Sequence, residues 1–204
     1  MYINQRQKFN LVFSLLSAGF LLFLFFTLRA AHPWIRTAFV GERAPGTWLS
    51  SVLLISCGMI SIILSMFRKE FFIFIILSLG CFFMALDERF MFHEMFKSFI
   101  LFDIFDGNHL KMGKWGELFI FFYLASGLTI LIIILKKIKE NLFRILFIVA
   151  IAIGSLSFLF DIFHLNALWE DLFKIFAEYL LLSSLLFLLR GEFISLKKTE
   201  SNPE

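Results

Sequence analysis

Polar and apolar residues fall along this chain in blocks, not in the alternation of a half-buried strand. Six apolar runs stand out: Phe9–Leu28, Trp48–Phe67, Phe71–Leu86, Leu118–Leu135, Ile145–Phe160 and Tyr179–Leu189. About 20 apolar residues carry a helix across a ~30 Å hydrocarbon core. A membrane β-barrel would need short alternating segments, which are absent. Backbone groups in lipid must bond within their own segment, and this leaves helices. The pattern therefore predicts an all-α fold, a polytopic membrane helical bundle of about six transmembrane helices. Residues 1–196 are expected to form this single transmembrane domain, with 197–204 as a disordered cytoplasmic tail.

The connections differ in kind. The stretch from Arg29 to Gly46 carries Pro33, Gly41, Pro45 and Gly46 and reads as a loop. Arg68-Lys69-Glu70 and Lys136 to Arg144 are tight basic turns. Between Glu94 and Trp115, the apolar Phe99-Ile100-Leu101-Phe102 is too short to span and ends at Asp106-Gly107-Asn108, a turn signal. It predicts one interfacial helix between spans 3 and 4. The run Phe9–Leu28 is too long for a signal-peptide core and lacks a small-residue cleavage site, so it is expected to remain as the first span.

Composition sharpens the class. The chain is 60% hydrophobic, 19% aromatic with 31 Phe, and 17% charged, against about 25% charged in soluble domains. The net charge of +3 comes with no basic stripe or nucleic-acid motif, so the partners expected are membrane lipids and no nucleic acid. Cys57 and Cys81 lie 24 positions apart inside apolar runs, which suits packing better than a disulfide framework.

Basic residues in the flanks set orientation. With the N-terminus inside, the inner set is Arg6, Lys8, Arg68, Lys69, Lys136, Lys137, Lys139, Arg144, Arg190, Lys197 and Lys198. The outer set is Arg29, Arg36, Arg43, Arg89, Lys97, Lys111, Lys114 and Lys174. Eleven against eight favours both termini in the cytoplasm of a cell whose inner (plasma) membrane holds the protein.

Three runs are too short to span unaided. The third stops at Asp87-Glu88-Arg89, the fifth at Asp161, and the sixth lies between Glu178 and Arg190. Crossing the core draws those charges below the surface, where they are costly and usually serve pairing or function. At 1.5 Å per residue from the inner turns, Asp87 and Asp161 lie roughly 25 Å up and Glu178 roughly 18 Å up. Asp171, His164, His93 and Glu94 fall at or just above the outer edge. Helical phase places Asp87 with Glu94, Arg89 with His93, Asp161 with His164, and Asp171 with Glu178.

Carboxylate plus imidazole suits a divalent metal such as Zn, Fe or Mn. Asp87, Glu94, Asp161 and His164 are the candidate metal ligands, Glu178 the candidate catalytic proton acceptor, and Arg89, His93 and Asp171 the candidate charge partners. A structural reading of the same residues also stands: Arg89 paired with Asp161 or Glu178, Lys174–Glu178 as an i,i+4 pair, and interfacial histidines. No HExxH or HxxxH is present.

Ala85-Leu86-Asp87-Glu88-Arg89-Phe90-Met91-Phe92-His93-Glu94 resembles a pattern in a loose group of uncharacterised bacterial six-span membrane proteins, in which an acidic pair and His-Glu end one span. Trp169-Glu170-Asp171-Leu172-Phe173-Lys174 is similar to the second acidic pair that opens their last span. The resemblance implies sites without a reaction. A distant analogy links the chain to alkaline ceramidase-like membrane hydrolases, whose C-terminal HxxxH is missing here. Three functions are thus expected in order: a metal-dependent hydrolase of a lipid-like substrate at the outer leaflet, a proton- or cation-coupled transporter with Glu178 and Asp161 as carriers, and a non-catalytic scaffold.

Overall fold

In a computed structural model, residues 5–40, 44–99, 102, 104, 118–163 and 165–201 are described. Eight helices follow one another among them: α1 Gln5–Ala31, α2 Arg36–Phe39, α3 Pro45–Phe67, α4 Phe71–Phe90, α5 Phe92–Phe99, α6 Leu118–Lys137, α7 Asn141–Ile162 and α8 Ala167–Ser201. Among the described residues, five segments are long and apolar enough to cross a membrane: Phe9–Ala31, Pro45–Phe67, Phe71–Phe90, Asn141–Phe160 and Ala167–Ser195. Helix α6 contains the fourth apolar run of the sequence, and α8 continues beyond residue 197 to Ser201.

The helix ends follow from local chemistry. Pro45 opens α3 at a position that needs no backbone donor. Asn166 Oδ1 accepts the Leu168 N–H at 3.0 Å and caps the start of α8. Helix α4 stops at Met91, whose φ of 55° is left-handed and whose N–H donates back to the Asp87 carbonyl at 2.7 Å. That conformation costs an L-residue roughly 1–2 kcal/mol. It ends the helix directly after the acidic pair and separates α4 from α5.

Helices α3 and α4 form one antiparallel hairpin and α7 and α8 another, and α3 packs on α8 to join them. The shared core includes Leu54, Leu64, Phe74, Phe143, Phe147, Ile175, Leu185 and Leu188, all buried. Gly58 allows the α3–α4 approach, since a Cβ there would stand 2.8 Å from the Phe82 ring. Helix α1 lies against α8 through aromatic contacts. Phe20 stacks on Tyr179 at 4.2 Å between centroids, and the Ser17 and Tyr179 hydroxyls are hydrogen-bonded. Many large apolar side chains remain exposed on the outer faces. Such a surface is a liability in water and the ordinary contact with lipid in a bilayer.

One end of the bundle is clasped by charge. Arg68, just past α3, hydrogen-bonds Glu140 at the start of α7 and lies 2.6 Å from Glu192 near the end of α8. Partial burial raises the Glu140 carboxyl, but the hydrogen bond and charge of Arg68 together with backbone hydrogen bonds outweigh it and hold the group below its ordinary value. A carboxylate with a depressed folded pKa contributes stability that is full above its unfolded pKa and is lost as pH falls through the folded one. Acidification through and below the usual carboxylate range should therefore lower the melting temperature in detergent. Glu140→Gln should flatten that part of the profile. A variant whose profile runs parallel to the wild type would assign the acid sensitivity elsewhere.

Candidate functional site

Ser50 stands 18 residues before Arg68 on α3, and Lys174 stands 18 before Glu192 on α8. At 1.5 Å per residue, both lie about 27 Å from the clasp, at the opposite end of the bundle. Three helices meet there, and their polar groups find partners across helix boundaries.

Asp171, Lys174 and Glu178 follow at intervals of three and four, so they share one face of α8. Lys174 Nζ donates to Glu88 Oε1 of α4 at 2.8 Å and lies 3.2 Å from Asp171 Oδ1. All three side chains are largely withdrawn from the surface. One turn on, Glu178 is 5% exposed, and Ser50 Oγ of α3 donates to its Oε1 at 2.7 Å. Its other oxygen, Oε2, is buried with no hydrogen-bond partner among the described residues. Cys57 Sγ, two turns further along the same face of α3, lies 3.9 Å from the Glu178 carbonyl, so α3 passes close to the backbone of α8 here. Ser157 Oγ of α7 donates to the Glu170 carbonyl at 2.9 Å and fixes the first turn of α8.

The residues expected from sequence are distributed as follows. Glu178 and Asp87 are buried on α8 and α4, and Asp171 joins the ion pair with Lys174. Arg89 is exposed, and Lys174 meets acids of both α4 and α8. His164 lies outside the described residues, as do the side chains of His93, Glu94 and Asp161. Among the described residues, no group of three or more His, Cys, Asp or Glu side chains is placed to hold a metal ion. Between Glu88 and Asp171 the ammonium of Lys174 supplies the positive charge.

Glu88 and Ser50 are contributors that sequence reasoning passed over. For Glu88 a signal existed, because it adjoins Asp87 at the end of a shortened run. For Ser50 there was none, since serines recur along α3 and most bond their own helix, as Ser51 and Ser65 do to Thr47 and Ile62.

An all-helical chain with five membrane-length helices and ionisable side chains held inside the bundle is a polytopic membrane protein. It belongs to the family described as Domain of unknown function (DUF8692), whose model matches residues 10–189. No curated protein and no solved structure matches it.

The ion pair makes a stability prediction. Removing the charge of Lys174 leaves Glu88 and Asp171 without this shared cation in a largely buried setting. Lys174→Met should cost about 2–4 kcal/mol, as truncating one partner of a buried charge pair does. Adding Glu88→Gln should restore part of it. Equal melting temperatures for wild type and Lys174→Met would show that the pair carries no net stabilisation.

Proposed function

We propose that this protein is a proton-coupled membrane transporter, in which Glu178 is the side chain that takes up and releases the proton. The observation that carries the reading is the one-sided environment of Glu178. Ser50 satisfies Oε1 and nothing among the described residues satisfies Oε2. An unpaired carboxylate oxygen in an apolar interior is costly, and a proton on Oε2 removes the charge, leaving a neutral O–H in place of the bare carboxylate oxygen. Lys174, one turn away and already held by Glu88 and Asp171, supplies a fixed positive charge that favours the deprotonated state of the cycle. Ser50 keeps the carboxyl oriented through both states. Intramembrane acids with this combination of burial and a nearby cation serve as proton relays.

In this reading α6 is the fourth of six spans and α5 opens an interfacial segment between spans 3 and 4. Both termini face the cytoplasm of a bacterial cell, and the Arg68 clasp lies at the inner face. Glu178 then sits toward the outer leaflet. Reporter fusions after Phe67, Leu135 and Leu196 should all report cytoplasm. A periplasmic signal from the last would remove the even number of spans.

The proton assignment has its own test. Infrared spectra of the purified protein across a pH series should show a carboxyl C=O stretching band that appears and disappears with titration, and Glu178→Gln should abolish it. The same titrating band in the variant would place the exchangeable proton on another acid. Stoichiometric metal in the purified protein, lost with Asp87→Asn, would replace the transporter by the metal-dependent hydrolase of a lipid-like substrate.

A further inference from the structure

At the clasp end, charge is shared unevenly. Arg68 engages both Glu140 and Glu192. Arg190, two residues before Glu192 on α8, makes a different contact: its guanidinium lies 5.0 Å from the centre of the Phe9 ring. Its Nε is buried with no hydrogen-bond partner among the described residues. A cationic group against an aromatic face still needs acceptors for its remaining donors.

Beside Arg190 is a cavity of about 230 Å³ between α7 and α8. Its inner wall is Phe143 and Leu188, both buried, and its rim is Leu142 and Ile194, each about half exposed. The opening therefore faces sideways, toward the hydrocarbon, and the wall is apolar apart from its two polar lining residues. Those two are Arg190 and Glu140, and the Glu140 carboxylate is already taken by Arg68. The adjoining turn carries Lys136, Lys137 and Lys139, all exposed. An apolar slot open to lipid, with an arginine and a basic turn at its polar edge, matches one amphiphile: acyl chain inside, anion at the mouth.

We infer that the α7–α8 cleft is a binding site for an anionic phospholipid, with an acyl chain against Phe143 and Leu188 and the headgroup phosphate on Arg190. Basic pockets between membrane helices recognise anionic headgroups through such donors. The inference is independent of proton exchange at Glu178, which lies at the other end of the bundle.

Gly191 provides a clean probe. It lines the cavity, and a Cβ there meets no heavy atom within 4 Å, so a larger side chain fills the slot without displacing the helices. The experiment is native mass spectrometry of the full-length protein after reconstitution in mixed phosphatidylglycerol and phosphatidylcholine nanodiscs. The wild type should retain one phosphatidylglycerol with a preference of about fivefold or more over phosphatidylcholine, one basic contact being worth ~1 kcal/mol. Arg190→Gln should lose the preference, and Gly191→Leu should lose the retained lipid of either kind while melting like the wild type. Equal retention of both lipids by the wild type overturns the proposal. So does a preference that survives Arg190→Gln, or retention that survives Gly191→Leu.

Discussion

The bond from Lys174 to Glu88 is the contact on which the polar end of this bundle depends. Lipid offers no solvent for a charge, so each ionisable group at depth has to be answered by another from the protein. Lys174 answers an acid on its own helix and an acid on α4 at once. In doing so it fixes the relative depth of two helices that belong to different hairpins. Ser50 then reaches Glu178 from α3, so α3, α4 and α8 are held in one register by two polar contacts.

The other end repeats the logic with the same signs. There a single cation, Arg68, gathers two acids from α7 and α8. Between the two ends the packing is apolar and close, with Gly58 against Phe82 and hydroxyls mostly turned back onto their own helices. Helix α1 stands outside this arrangement. It meets α8 through ring stacking and one hydroxyl pair, and most of its large side chains are exposed.

Much of this was legible in the sequence because lipid imposes a length rule. Runs too short to cross announce which acids must be drawn inward, and Asp87 and Glu178 are buried as that rule requires. The helical period placed Asp171 and Glu178 on one face. Partner choice was not legible. Successive residues on a helix point 100° apart, so Asp87, Glu88 and Arg89 face three directions, and composition does not say which one meets a neighbour. Lys174 meets Glu88 at the α4–α8 contact, a matter of which helices pack together. Arg68 counts in the sequence as a turn charge that sets orientation, and Glu140 falls within the basic turn from Lys136 to Arg144; that they meet across turns depends on the folded hairpins. Ser50 carried no signal because one serine among several on α3 is distinguished only by what stands opposite it.

Helix polarity gives the Lys174 contact a direction. Glu88 sits in the last turn of α4, where the unpaired carbonyls make the helix end negative. That end repels a carboxylate by roughly 0.3–1 kcal/mol, more where it is partly buried. Glu170 and Asp171 sit in the opening turns of α8, where the helix end is positive and acids are welcome. Glu88 is thus unfavourably placed within its own helix, and the compensating field must come from elsewhere in the fold. Lys174 of α8 supplies that field across the helix boundary, so a charge disfavoured by the end of one helix is answered by a side chain of another.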